Sequence, residues 1–349
     1  MKTGFISTLS LTSASRGSIM EQSVALAKLQ TEVSSGRKYD VGLDLGIGTG
    51  EAISMRSEFE NLNTIVDTNG LVKSRLDVTE TGMLNVRDSA QTMLATLVSS
   101  IGSETGREVT IAEAKNNLEQ LVATLNTSFS GTYLFAGINV GETPITDYYA
   151  TGSANKTAVD TTFMAEFGMA QNNAGLNSVT AAQMQSYLDG AFANEFDSPG
   201  NWNANWSTAT DQEMVNRIST SETIETSISA NIDPMRKLAM AFTMVADLGG
   251  ENMTQNTFDV VLNKAVSMLG EAIGELNSSI GQVGNAQARV ARASDKLSLQ
   301  TDLINERILA LENVNTTEVS VLLSNAVTQL EVTYAVTSRM QGMSLLNYL

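Results

Sequence analysis

The sequence of 349 residues contains no cysteine and no histidine. Together these absences remove thiol nucleophiles, disulfides, imidazole bases and the commonest zinc ligands, so most familiar active sites cannot be assembled and neither a cofactor nor catalysis is expected. Proline is almost absent as well, at 3 residues, so little interrupts a helix. Nowhere do about 18 apolar residues run together, and no helix is expected to span a bilayer. The opening Met1-Lys2-Thr3-Gly4-Phe5-Ile6-Ser7 is not followed by the apolar stretch of a secretory signal, so no cleaved signal peptide is expected. Basic residues are few: 21 Lys and Arg stand against 38 Asp and Glu, a net charge of -17. That field repels phosphate backbones and anionic lipid, which argues against nucleic acid or membrane as partner.

What the chain does have is apolar residues, 42% of the total, spaced for long helices. Leu262, Leu269, Leu276, Val283, Val290, Leu297, Ile304 and Leu311 fall at every seventh position, the signature of a helix packing on other helices. A second ladder runs through Leu62, Asn69, Leu76, Met83, Ala90 and Leu97, flanked by Ile65, Val72, Val86 and Met93. Asn69 in that seam either fixes the register or marks a partly solvated gap. Helices are expected over 52–100, 105–128 and 252–312, forming an intramolecular bundle whose core includes Leu62, Leu76, Val86, Leu97, Leu269, Leu276, Val290, Leu297, Ile304 and Leu311.

The two ends carry one helix apiece. Ile19, Leu26, Leu29 and Val33 line the first, over 12–35, and Gly36 ends it; Val319, Leu323, Ala326, Leu330, Met340 and Leu346 line the last, with Thr316 or Thr317 as its cap. Two helices have little core, so their remaining apolar faces are expected to meet other subunits.

Between the helices the period changes. Thr132-Tyr133-Leu134-Phe135-Ala136-Gly137 reads as a short strand entering a hairpin or turn. Residues 139–234 then hold 12 acidic and 2 basic residues, which is -10 of the total, and 9 of the 19 aromatics. This composition predicts an inserted acidic domain, α+β or β-rich, with a small core of its own. The fold class is therefore mainly α: a discontinuous coiled-coil rod of long helices, a short hairpin and a mid-chain insert.

Two motifs fall short of chemistry. Gly46-Ile47-Gly48-Thr49-Gly50 has Glu51 where a dinucleotide loop needs its third glycine, and a flexible connector is expected there. Asp40, Asp44 and Glu51 occupy places of a calcium loop, but Leu45 stands where its turn demands glycine.

Four segments resemble one family, the bacterial flagellins and hook-associated proteins. Leu26 to Gly36 is similar to that family's L-x-x-L-Q-x-x-I/L-S-S/T-G first helix, and Gly131 to Gly137 to its G-x-Y-I/L-F-A/G-G turn, with Tyr133, Phe135 and Gly137 as the matching positions. Ser229 to Pro234 through Leu248 resembles the re-entry into the rod, and Ser344-Leu345-Leu346-Asn347-Tyr348-Leu349 resembles the ending of the hook-filament junction members. The filament subunits commonly carry N-x-A-x-D-D-A-A-G-x-A-I after the first helix, where this chain has Arg37-Lys38-Tyr39-Asp40-Val41-Gly42-Leu43-Asp44. The departure favours a junction member.

The resemblance implies an extracellular structural part of the flagellum, joining the hook to the flagellin filament and exported unfolded through the flagellar channel. Its implied partners are copies of itself in a ring, the preceding hook-associated protein, flagellin and an export chaperone. It also implies three parts: 1–36 pairing with 313–349 as the terminal assembly domain, 37–138 with 235–312 as the rod, and 139–234 as the variable insert. The terminal segments would be disordered in the monomer and order on incorporation. A filament subunit is the first alternative, and a coiled-coil signalling fragment the second.

Overall fold

The computed structural model describes residues 8–342, so the expectation for Leu346 lies outside the described residues. Helix α1 (Thr8–Ser35) is followed by the short α2 (Val41–Leu45) and by α3, an unbroken helix of 52 residues (Thr49–Ser100). Helix α4 (Arg107–Leu125) leads into the hairpin of β1 (Ser128–Phe129) and β2 (Thr132–Tyr133). Then come α5 (Ala154–Phe167), α6 (Ala181–Asp189), α7 (Ala191–Asn194) and a second hairpin, β3 (Val215–Arg217) with β4 (Thr223–Glu225). Helix α8 (Asp233–Asp247), the 58-residue α9 (Gln255–Glu312) and α10 (Thr316–Gly342) complete the described chain. The fold is mainly α, as the apolar periodicity predicts. Both sheets among the described residues are two-stranded and antiparallel.

The chain forms two compact units, one from residues up to Asn63 together with those from Ser298 onward, the other from Thr64 to Leu297. Within the second, Leu76, Val86 and Leu97 of α3 and Leu269, Leu276 and Val290 of α9 belong to one buried cluster. Each such side chain removed from water contributes about 1.5–3 kcal/mol. The two helices run antiparallel there: Gln287 Nε2 donates to Asp77 Oδ1 and Glu80 Oε2 at 3.0 and 2.8 Å, and the Gly102 amide to Asp259 Oδ1 at 2.9 Å. Leu297 is buried at the end of this unit, and Leu62 is buried in the other; Ile304 and Leu311 are half-buried.

Helix α8 is apolar nearly all round, with Leu238, Ala239, Met240, Ala241, Phe242, Met244 and Val245 buried. Such a helix is stable only when covered on every side. Helix α4 packs along it, and the inserted segment supplies further cover. The insert's aromatics therefore do not form a separate core: Tyr148, Trp202 and Trp206 lie in the same cluster as α4, α8 and α9. Trp202 and Trp206 stack at 5.4 Å, and Tyr148 stacks on Trp206 at 5.2 Å. Polar groups tie the same segment down, with Trp202 Nε1 donating to Asn231 Oδ1 at 2.8 Å and Tyr148 OH to Asp247 Oδ2 at 2.7 Å.

The β1–β2 hairpin and the turn after it organise this packing. Between the strands, Ser130 and Gly131 have φ of 51° and 79°, which a tight hairpin with two left-handed positions requires. Leu134, Phe135 and Ala136 are buried, and Arg75 of α3 donates to Thr132 Oγ1 and the Tyr133 carbonyl at 2.9 and 2.8 Å. The Phe135 carbonyl accepts from the Ala230 amide at 2.8 Å and that of Ala136 from Thr210 at 3.1 Å, so the insert's exit and its middle are both pinned here. Gly137 has φ of +64°, and a Cβ there would stand 2.4 Å from the Thr210 carbonyl oxygen.

Asn69 takes neither expected role. It is fully buried, and its Nδ2 donates to the Ile218 carbonyl at 2.9 Å, fastening the end of β3 to α3. The glycine-rich stretch is helical rather than open loop: Asp40 caps α2 by accepting from the Leu43 amide at 3.0 Å, and Thr49 Oγ1 donates to the carbonyls of Gly42 and Gly46. Short polar side chains there hold the backbone in turns that the glycines alone would leave free.

Gly137→Ala, which adds backbone strain and a clash with the main chain, is expected to lower stability by about 2–4 kcal/mol, read as a lowered urea midpoint with unchanged slope. Burial, with Glu225 adding repulsion, raises the Glu213 carboxyl above the ordinary carboxylate range. The folded state then holds its proton to higher pH than the unfolded state does, so this group's contribution declines as pH rises from about 4.5 through the raised value. Glu213→Gln is accordingly expected to raise the urea midpoint at pH 8 and to leave it unchanged at pH 4.

Candidate assembly surface

In the unit made from the two ends of the chain, α1 and α10 lie side by side. Helix α1 stops at Gly36, whose φ of +70° suits a left-handed cap and whose amide donates to the Glu32 carbonyl at 2.8 Å. Helix α10 starts at Asn315, whose Oδ1 accepts from the amides of Thr317 and Glu318 at 3.2 and 3.4 Å. The cap is thus Asn315 and not Thr316 or Thr317, because its carboxamide stands one residue ahead of the first turn and meets the unsatisfied amides at N2 and N3.

Where the helices begin and end, the two chain segments are laced together. The Val314 amide donates to the Gly36 carbonyl at 3.0 Å, the Lys38 amide to the Glu312 carbonyl at 2.9 Å, and Lys38 Nζ to the Leu311 carbonyl at 2.8 Å. Arg37 and Asn313 form an isolated antiparallel bridge. Glu312 closes the joint: its side chain is 2% exposed and is paired with both Arg37 and Arg56, Arg56 Nε donating to Oε1 at 2.6 Å. A carboxylate at the C-terminal end of α9 faces the negative end of the helix dipole and would be costly alone; two guanidinium groups offset that cost. The bond to Glu312 raises Arg56 above the ordinary guanidinium value, against partial loss of hydration.

The expected seam residues sit together. Ile19, Leu26, Leu29 and Val33 of α1 are half-buried, as are Leu323, Ala326, Leu330 and Met340 of α10, while Val319, nearest the joint, is buried. A second set, beyond the heptad positions, points away from any cover: Met20 and Val24 on α1, and Val321, Leu322, Val327, Val332, Tyr334 and Val336 on α10. Val24 is 62% exposed and Val321 57%. So many exposed apolar side chains on one helix pair mark an interaction surface. Their only signal in sequence is an apolar stripe wider than one seam needs. Tyr133, Phe135 and Gly137 lie elsewhere, in the packed turn of the other unit.

Among the described residues, no group of three or more acidic side chains is placed to hold a metal ion, and no helix is long and apolar enough to cross a membrane. Asp40, of the near-miss calcium pattern, is committed to capping α2.

Two family models match the chain. The bacterial flagellin N-terminal helical region matches residues 6–140, and the bacterial flagellin C-terminal helical region matches 266–349. Among solved structures, a proposed flagellar hook-associated protein from Vibrio parahaemolyticus superposes with a TM-score of 0.52 at 10% identity, covering 76% of this chain and 98% of that one. FlgL of Bacillus cereus gives a TM-score of 0.48 at 13% identity, over 73% of this chain and 98% of its own. The first likeness extends to the fold. Comparison with curated proteins returned no match.

The two faces of the helix pair should respond differently to charge. Leu323→Asp, in the seam, is expected to cost the pair about 2 kcal/mol, seen as loss of helical circular dichroism at lower temperature. Val321→Asp, on the outer face, should stay within about 0.5 kcal/mol of the parent in the same melt.

Proposed function

Because this chain belongs to the bacterial flagellin family, and is thus a structural component of the extracellular flagellum and not an enzyme, we propose that it is the junction protein between hook and filament. In this reading it is of the hook-associated protein 3, or FlgL, type. The observation that carries an assembly role is the set of exposed apolar side chains on both flanks of the α1–α10 pair, Val24 on one helix and Val321 and Val332 on the other. Burying those flanks against neighbours supplies the free energy that offsets ordering and association.

What favours the junction over the filament is local. Arg37 and Lys38 stand where filament subunits carry a different pattern, and both are built into the joint with Glu312 and Leu311. The closing Ser344 to Leu349 also resembles the ending of the junction members. Copies of this chain would form a ring seated on the preceding hook-associated protein, and flagellin would grow from it. The terminal pair would act as the assembly domain, 37–138 with 235–312 as the rod, and 139–234 as the variable insert. Export would proceed through the flagellar channel without a cleaved signal and with a chaperone guarding the apolar ends. Absence of cysteine and the local contacts of long helices suit a chain that must refold after transit.

Immunogold labelling of detached flagella tests the reading. Label confined to the hook-filament boundary is expected; label along the filament would make the chain a filament subunit instead. Val321→Asp combined with Val332→Asp is expected to leave a folded monomer that no longer enters the flagellum. Normal incorporation of that variant would remove the outer flank of α10 from the interface.

A further inference from the structure

The segment around α2 holds its large apolar side chains outward: Leu43, Ile47 and Ile53 are all exposed, Ile47 fully. The backbone that carries them is nevertheless fastened. Asp40 caps α2, and Thr49 Oγ1 donates to the carbonyls of Gly42 and Gly46 at 2.9 and 2.8 Å, which brings the residues just before Leu43 and Ile47 to one point. Ala52, beside Ile53, is buried and seats the first turn of α3. A knob presented in this way loses little backbone freedom on docking. Its charges are acidic: Asp44 and Glu51 are exposed within it, while the basic groups nearest in sequence, Arg37, Lys38 and Arg56, are taken up by Glu312 and the Leu311 carbonyl. In the same unit α9 shows the opposite chemistry. Leu299, Leu303 and Arg307 follow at four-residue steps along one exposed line, Leu299 being 71% exposed, while Thr301 and Ile308 on the far side are buried. Asp302 and Glu306 stand about 100° and about 60° round the helix from Leu303, so Arg307 is the charge nearest the line.

Set against its own counterpart in a second copy, the knob would bring Asp44 and Glu51 up to like charges, and the stripe would bring Arg307 up to Arg307. Set against each other, the two surfaces match apolar to apolar and acid to base. We propose that the knob of Leu43, Ile47 and Ile53 on one copy docks on the stripe of Leu299, Leu303 and Arg307 on the next, with Asp44 and Glu51 facing Arg307. Because the two surfaces differ, the contact is head-to-tail, and its repetition closes a ring or continues as a filament according to the rotation between copies. The proposal rests on the assembly of copies given above, and it holds for a junction protein and a filament subunit alike.

Disulfide trapping in assembled flagella tests this, since the chain has no cysteine to interfere. Cells making Ile47→Cys and Leu303→Cys chains together are expected to yield flagella in which mild oxidation links one chain of each kind, reversibly on reduction, as Cα atoms within about 7 Å allow. A linked pair from either variant made alone overturns the proposal, as does no pair when both variants are present in the flagella. A charge exchange covers the case in which a thiol variant does not assemble. Arg307→Glu is expected to lower the amount of chain in isolated flagella several-fold, and Asp44→Arg with Glu51→Arg in the same chain to restore it. No loss with Arg307→Glu, or a loss that the reversed acids do not repair, overturns the proposal equally. Immunogold label along the filament would reassign the flagellar position and leave the Ile47 to Leu303 link expected as before, so the two readings fail separately.

Discussion

A helix that is apolar nearly all round must be covered nearly all round, and α8 sets that demand in the larger unit. Phe242 and Met244 lie on nearly opposite sides of the helix, and both are buried. Helix α4 meets part of the demand and α9 another part. The aromatic side chains of the insert join the same cluster. The inserted segment is consequently part of the core that the long helices share, although its charge sets it apart. Its acidic groups remain mostly outward, where the -10 it carries is solvated.

This explains what could be read from sequence and what could not. The ladders through Leu62 to Leu97 and Leu262 to Leu311 place α3 and α9 because a seven-residue apolar repeat leaves a helix only one way to bury its stripe. The glycines around Tyr133 to Gly137 mark the turn for a similar reason: few residues tolerate its backbone. The insert shows no such repeat. Its short helices bury aromatics singly against other elements, so composition shows a boundary while the packing joins what lies on both sides. Asn69 was ambiguous on the same grounds, since its partner is a carbonyl 149 positions away.

The candidate surface was half legible. Seam positions such as Leu26 and Leu323 follow from spacing, whereas the exposed Val24 and Val332 do not, because an apolar residue off the seam reads equally as core or as surface. The joint left no local trace at all. Arg37, Arg56 and Glu312 are ordinary charged residues in their own neighbourhoods, and only the fold gives a buried carboxylate its two cations. Such a triad is weak as a source of net stability, since desolvation offsets much of the attraction. Its geometric effect is larger: it allows one alignment of the terminal helices and penalises a slipped one, which would leave Glu312 buried and unpaired.

The turn at Phe135 has a further consequence. The insert leaves the helices just after Gly137 and returns at Ala230, whose amide bonds the Phe135 carbonyl at 2.8 Å, so its two ends start from neighbouring points. Such an arrangement lets one passenger be exchanged for another without moving the scaffold, as adjacent termini permit wherever a domain is spliced into a host. The splice comes with a condition. Any graft between these points has to bring its own apolar lid for α8, and that requirement restricts which sequences can diversify at this position far more than their length does.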